Sequence, residues 1–285
     1  MSGLLAALRT IPARFFRDQG FLMASAISFT ALLCLAPLVL ILFSLAGYLM
    51  ESDKIADYLF DAATVLLPAY GRELGEFFSF LTRERAVAGL VGVLSWGIFT
   101  TQFFSVIRTV VNQVFRVPVR RGLVRGFAVD LLMVVIVGSL AIIFIGAIFV
   151  VVTLGDIAVQ MVPGTQLSSA RLRRLVSHPM MYVLGVGLLF LLYRALPNMK
   201  VPARAAGIAT LVVGIAWEGA RWVFTAFVGM FGTYGRLYGS FGVGIAALVW
   251  IYYSAIIFVL GAELAAVIAE REALNVEADR SSNRR

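Results

Sequence analysis

The residues best suited to chemistry are an acid and a base that interrupt an apolar run. Glu218 and Arg221 stand three residues apart within residues 205–230, so on a helix they share a face and can touch. A charge near the middle of a bilayer costs roughly 3 kcal/mol on insertion scales. Two interpretations stay open: a self-neutralised pair packed against a partner helix, or a wet site where Arg221 attracts a phosphate or carboxylate.

A stripe of polar side chains follows a second apolar run, at residues 86–107. Charged and polar groups inside membranes usually face the bundle interior or a wet cavity. We therefore predict that this stripe faces inward and helps to bind or gate a substrate. Its members are spaced by four, three and four residues, as on one helix face: Thr101, Ser105, Arg108 and Asn112.

Other polar groups stand at helix ends, where pairing with a neighbour stabilises them. Asp130 follows a basic loop and is expected to pair with Arg108 or Arg125. Glu263 follows the last apolar run and is expected to pair with Arg194 or Arg108. The helix-end residues predicted to have such structural roles are Asp130, Arg194, Asn198 and Glu263.

A segment rich in Gly and Tyr, residues 231–240, separates the last two apolar runs. One interpretation is a short outer hairpin whose tyrosines lie at the membrane interface. The other is a re-entrant segment whose free backbone groups line a cavity. In the second case the residues that contact a substrate or gate its path are Tyr234, Tyr238 and Ser240.

The composition is that of a polytopic membrane protein. Of 285 residues, 61% are hydrophobic and only 14% are charged, whereas soluble domains are about a quarter charged. The net charge of +8 would suggest nucleic acid in a soluble chain, but the positive-inside rule explains it more simply here. We therefore predict membrane lipids and a small-molecule or lipid substrate as partners, and no nucleic acid. The sequence leaves the oligomeric state open, a homo-oligomer included.

The apolar runs predict an all-α fold with six transmembrane helices in a single domain, residues 1–270. The segments on one side carry 15 Lys and Arg residues and those on the other carry eight, which places both termini in the cytoplasm. Residues 271–285 are expected to form a polar, disordered cytoplasmic tail. The predicted spans are residues 22–50, 86–107, 127–154, 176–193, 205–230 and 241–262.

Three further features refine this topology. Pro37 lies inside the first span, where the ring removes a helical hydrogen bond and is expected to kink the helix. The first 20 residues form a short amphipathic, arginine-containing segment predicted to lie on the membrane surface. Residues 53–67 and 74–81 have helical apolar periodicity and are predicted to be amphipathic helices at the outer interface.

Several chemistries lack the residues that they need. The sequence has no P-loop, no HExxH and no G-x-S-x-G. Its single cysteine, Cys34, and single histidine, His178, offer no metal cluster. We therefore predict no catalytic residues, no metal and no cofactor, and a protein that is not an enzyme.

Three blocks resemble the YihY/virulence factor BrkB family of bacterial inner-membrane proteins. They are SAISFTALLCLAPLV at residues 25–39, LYRALPNMKVP at residues 192–202, and the W-E-x-x-R, Y-G-S and G-A-E-L blocks of residues 217–264. Phe29 stands where relatives often have Tyr. The blocks occur in order over nearly the whole chain.

This resemblance implies a helical, six-span inner-membrane protein without a settled mechanism. Some relatives were assigned as the tRNA-processing ribonuclease BN, which is generally treated as mistaken; others are linked to serum resistance, and one branch to export of lipid A precursors. The leading hypothesis is a transport protein for an amphipathic or anionic substrate. The alternatives are a non-transporting scaffold or envelope assembly factor, and a passive osmolyte exporter or channel.

Overall fold

The structure is a computed structural model that describes residues 2–49, 71–117, 122–161, 169–231 and 235–282. The regular structure of this part of the chain is entirely α-helical, which confirms the predicted fold class. In a bilayer a helix satisfies its backbone hydrogen bonds internally, so apolar sequence of this length favours it strongly. The helices are α1 (Ser2–Arg17), α2 (Gly20–Leu49), α3 (Gly71–Val114), α4 (Leu123–Met161), α5 (Ser169–Ala195), α6 (Ala203–Phe231) and α7 (Gly235–Ser282).

Five of these helices contain segments long and apolar enough to cross a membrane, so the chain is an integral membrane protein. The predicted fourth span, 176–193, corresponds to a shorter apolar segment, Pro179–Ala195. The count of six spans therefore stays a prediction. The five segments are Gly20–Tyr48, Arg83–Val114, Gly126–Leu154, Ala203–Ala226 and Gly244–Asn275.

The chain divides into two compact units. The larger comprises Met1–Ser28 and Phe104–Arg285. In it α4 packs on α5, α5 on α6, α6 on α7, and α1 on α7. The smaller unit is Phe29–Phe103.

Helices α5, α6 and α7 are in close contact around a buried tyrosine of the larger unit. The hydroxyl of Tyr193 donates a hydrogen bond to the backbone oxygen of Phe258 at 2.8 Å. The two rings stack with centroids 5.1 Å apart. A Cβ at Gly261 would overlap the side chains of Tyr193 and Val213, so this close approach requires glycine.

Helix α1, predicted to lie on the membrane surface, packs one face on α7. Ile11 and Phe15 of this face are buried. Arg14 donates two hydrogen bonds to the Glu270 carboxylate, at 3.0 and 2.5 Å. The hydrogen bonds that Arg14 donates to Glu270 raise the pKa of Arg14 above its ordinary value, although burial acts in the opposite direction. The guanidinium therefore keeps its charge throughout the physiological pH range.

The smaller unit contains parts of α2 and α3 that pack through small residues. A Cβ at Gly89 would overlap the Ser44 hydroxyl, and one at Gly92 would lie 3.0 Å from the Ile41 side chain. The Ser44 hydroxyl donates to the backbone oxygen of Arg85 at 2.7 Å. Small residues let backbones approach in this way within membranes. Pro37 is buried within the continuous helix α2.

The structure differs from the sequence prediction at the carboxyl terminus. Residues 271–282, predicted to be a disordered tail, continue helix α7 as far as Ser282. They contain no Gly or Pro, and their Glu, Ala, Leu and Arg residues favour a helix.

The structure also bears on the predicted outer segments. Residues 53–67 lie outside the described residues. Residues 74–81 are helical, but they form the start of α3, which continues without a break through the predicted second span.

Candidate functional site

The larger unit contains a cavity of about 440 Å³ between α5, α6 and α7. Ligand pockets in proteins commonly measure roughly 300–1,000 Å³, so this volume suits a small molecule or part of a lipid. Nearly all of its wall is apolar or aromatic. The lining residues are Met181, Tyr182, Gly185, Val186 and Leu189 of α5, Gly214, Trp217, Glu218 and Arg221 of α6, and Trp250 of α7.

Helical periodicity explains why these residues meet at one cavity. On α6 the lining positions are spaced by three, four and seven residues from the first, Gly214. On α5 the same intervals from Tyr182 reach Gly185, Val186 and Leu189. Side chains at such intervals lie on one helix face. Two facing stripes, closed by Trp250 from α7, therefore form the wall.

Glu218 and Arg221 form the charged part of this wall. The Nε and Nη2 atoms of Arg221 donate to Oε2 of Glu218 at 2.9 and 2.6 Å. The exposed fractions of the two side chains are 47% for Glu218 and 53% for Arg221. The pair is therefore not enclosed by close-packed helices, and both groups are accessible from the cavity.

Aromatic rings and a glycine shape the rest of the wall. The Trp250 ring lies 6.5 Å from that of Trp217 and 4.9 Å from that of Phe224, centroid to centroid. A Cβ at Gly214 would stand 2.6 Å from the Tyr182 hydroxyl. The glycine therefore leaves room for Tyr182 beside α6. The result is an apolar chamber whose described wall includes the Glu218–Arg221 ion pair.

An ion pair between Arg108 and Asp130 joins α3 to α4. It is one of the two pairings that the sequence predicted for Asp130. The Nε and Nη2 atoms of Arg108 donate to the two carboxylate oxygens at 2.7 and 2.9 Å. Only 15% of the Arg108 side chain and 3% of that of Asp130 are exposed. The geometry is bidentate, which is the strongest form of such a pair.

The remaining members of the predicted polar stripe also have protein partners. The side-chain oxygen of Asn112 accepts a hydrogen bond from the backbone N–H of Asn198 at 2.7 Å. The Ser105 hydroxyl lies 3.5 Å from the Arg108 guanidinium. Thr101, in the smaller unit, donates to the backbone oxygen of Gly97 at 2.7 Å. These contacts are structural, and none of the stripe residues lines the cavity.

The predicted pairing of Glu263 with Arg194 or Arg108 is wrong. Glu263 is fully buried, and its charged neighbours are Asp18, Arg14 and Arg17. Because α1 and the turn after it pack on α7, those groups reach Glu263 first. Arg108 is already bound to Asp130. The Arg194 guanidinium lies over the Phe190 ring, 5.8 Å from its centroid.

The predicted Gly/Tyr segment is only partly described. Tyr234 lies outside the described residues. The backbone of Tyr238 and Ser240 belongs to helix α7, which begins at Gly235. Residues 235–240 of the segment predicted to separate the last two spans are therefore helical. The roles proposed for these side chains stay predictions.

Sequence reasoning found the charged pair but missed the rest of the cavity wall. The missed residues are Met181, Tyr182, Gly185, Val186, Leu189, Gly214, Trp217 and Trp250. The stripe that begins at Gly214 and includes Trp217 could have been extended from Glu218 by helical spacing. The α5 residues carry no such signal, since their apolar side chains look like any lipid-facing or core position.

Comparison with known proteins places the chain among bacterial membrane proteins. A family model described as Virulence factor BrkB matches residues 11–285. Among curated relatives, a UPF0761 membrane protein of Azotobacter vinelandii is 29% identical over 257 residues, 88% of this chain and 60% of that protein. One of Alkalilimnicola ehrlichii is 28% identical over 267 residues, 91% of this chain and 57% of that protein.

A UPF0761 membrane protein of Psychrobacter sp. is 24% identical over 261 residues, 90% of this chain and 47% of that protein. The chain thus spans about half to three fifths of the length of these relatives. No solved structure matches.

Proposed function

The chain belongs to the virulence factor BrkB family, and we propose that it is a non-enzymatic transport protein of the bacterial inner membrane. Its substrate is an amphipathic anion, such as a lipid with an anionic head group or a small apolar carboxylate or phosphate. Both termini lie in the cytoplasm. The observation that supports the proposal is the exposed Glu218–Arg221 pair in the wall of an otherwise apolar cavity.

The chemistry of the wall favours this substrate class. An apolar tail in contact with Trp217 and Trp250 gains free energy from the surface that it buries. A phosphate or carboxylate at the other end can bind the Arg221 guanidinium, which presents donors in a planar fork. Glu218 now occupies two of those donors. A substrate anion would compete with Glu218, so binding and release can both occur without leaving Arg221 unpaired.

Arg221→Ala tests the charged end of the site. We expect it to slow the movement of a fluorescent phosphatidylglycerol across proteoliposomes by about tenfold or more, since a charge-assisted hydrogen bond contributes roughly 1.5–3 kcal/mol. Labelled lipid that starts in the inner leaflet becomes accessible to an external quencher once it has crossed the membrane. The measurement is the rate of this quenching. Arg204→Ala is the matched control, because Arg204 lies on the same helix, is 81% exposed and does not line the cavity. Equal rates in Arg221→Ala and wild-type protein at matched protein content would refute the role of Arg221.

Gly185→Phe tests the cavity itself. Gly185 lines the cavity, and a Cβ there meets none of the described residues within 4 Å, so a ring can occupy free volume without displacing the helix. We expect transport of the same lipid to fall several-fold while thermal stability is kept. Gly187→Phe is the control: its Cβ position is equally open, it lies on α5 two residues later, and it does not line the cavity. Loss of transport in both variants, or in neither, would argue against passage through this cavity.

A further inference from the structure

The turn between α1 and α2 brings a second acid to the buried carboxyl group of Glu263. Asp18 follows the last residue of α1, and its backbone N–H donates to the Arg14 oxygen at 2.8 Å. Gln19 then adopts a left-handed conformation with a φ of 58°. Gly20 lies directly against the Phe15 ring, where a Cβ would overlap it. This tight turn fixes the position of Asp18 beside α7.

Three oxygens of the two carboxyl groups are buried without a hydrogen-bond donor from the described residues. They are Oε1 and Oε2 of Glu263 and Oδ2 of Asp18. The side chain of Asp18 lies within hydrogen-bonding reach of Glu263. Two ionised carboxylates are acceptors only and cannot bond to each other. A protonated carboxyl group, however, donates one hydrogen bond and supplies the missing donor.

The surrounding arginines contact the two acids unequally. Arg17 donates to Oδ1 of Asp18 at 3.1 Å, and the Nη2 atom of Arg116 lies 3.5 Å from Oδ2. Two guanidinium groups therefore contact the Asp18 carboxylate. Arg14 also lies near Glu263, but its two terminal nitrogens donate to Glu270. Of the groups that face Glu263, none in the described part of the chain donates a hydrogen bond to it.

We propose that Glu263 and Asp18 form a proton-binding site, in which Glu263 carries the proton and donates it to Asp18. Proton binding at this site holds the turn after α1 against α7. Release of the proton places two negative charges side by side in a buried position, so the contact loosens. The site is separate from the cavity of α5, α6 and α7, and the proposal does not depend on the transport function.

The direction of the pH effect follows from linkage. In the proposed site the docked state binds one more proton than the undocked state, in which Asp18 has moved away from Glu263. Docking is therefore complete at acidic pH and is lost as pH rises. With one proton linked, the docking equilibrium changes by up to about tenfold for each pH unit. Arg14 adds no alkaline transition in this range, since its pKa lies above the ordinary arginine value.

Infrared spectroscopy of the full chain in lipid nanodiscs tests the proton directly. We expect a protonated-carboxyl C=O band at about pH 5 that disappears toward about pH 9, a range that covers shifted carboxyl groups. Glu263→Gln should remove this band. Glu272→Gln removes another carboxyl group of the same helix, near Arg204, and should leave the band in place. Absence of a pH-dependent band in the wild type, or its persistence in Glu263→Gln, would overturn the proposal.

A second variant keeps the test decisive if Glu263→Gln does not fold. In Asp18→Asn, the side-chain amide can donate a hydrogen bond to Glu263 without the uptake of a proton from solution. The neighbouring negative charge is also removed. The band should then disappear at a pH lower by about one unit or more. An unchanged titration in this variant would show that Asp18 does not share the proton.

Hydrogen exchange in α1 tests whether proton release from Glu263 loosens the contact between the turn after α1 and α7. At each pH the exchange of backbone amides in α1 is compared between wild type and Glu263→Gln, whose amide replaces the proton permanently. The ratio of the wild-type exchange rate to the Glu263→Gln exchange rate should be close to one at acidic pH and rise several-fold toward alkaline pH. A ratio that stays constant across the titration would mean that proton release does not loosen this contact.

Discussion

Asp130→Ala is expected to destabilise the larger unit by roughly 3–5 kcal/mol, the usual cost of leaving one member of a buried ion pair without its partner. Arg108 is only 15% exposed, and its guanidinium lies against Gly126, with 3.0 Å between Nη2 and the position of a Cβ. It therefore has little room to reach water. The measurement is the thermal unfolding of purified protein in detergent, combined with its yield in the membrane fraction.

Two comparisons separate the buried charge from general damage. The double variant Arg108→Leu with Asp130→Leu removes both charges and should recover most of the lost stability, since apolar replacement of a buried pair is often neutral. Glu272→Ala removes a carboxylate whose partner Arg204 is 3.9 Å away and largely exposed, so it should cost less than about 1 kcal/mol. If Asp130→Ala is as mild as Glu272→Ala, the buried pair does not stabilise the fold.

Gly261→Val should prevent the close packing of α5, α6 and α7. The added side chain begins at a Cβ that already overlaps Tyr193 and Val213. Relief requires movement of the helix and loss of the hydrogen bond from Tyr193 to the Phe258 oxygen. Overpacking of a core typically costs about 1–3 kcal/mol, and the lost hydrogen bond adds about 1 kcal/mol.

The same helix supplies a matched control for this substitution. Gly244 also lies in α7, and within the described part of the chain a Cβ there meets no atom within 4 Å. The intrinsic effect of valine on the helix is therefore present in both variants, whereas the collision occurs only at Gly261. We expect the thermal unfolding temperature of Gly244→Val to be close to that of the wild type and that of Gly261→Val to be clearly lower. Equal values would show that α7 can shift without cost.

Helices and the Glu218–Arg221 contact could be predicted from the sequence because both depend on local spacing. An apolar run in a bilayer must form its backbone hydrogen bonds within itself. Groups three residues apart on a helix are neighbours whatever surrounds them. Two arginines near Asp130 in the sequence could be predicted as its partners, because both lie in the adjoining loop. The structure shows that the partner is Arg108.

The cavity and the neighbours of Glu263 depended on how the helices pack. Apolar positions such as Gly185 have the same composition whether they face lipid, a core or a cavity, so the sequence carries no signal for the α5 wall. Asp18 and Glu263 are separated by almost the whole chain, and their approach requires α1 to pack on α7. The sequence alone determined that the apolar runs are helical and that Glu218 and Arg221 are in contact. The tertiary structure decided which helix faces meet, because side-chain volume and shape across an interface are not encoded in the spacing along one helix.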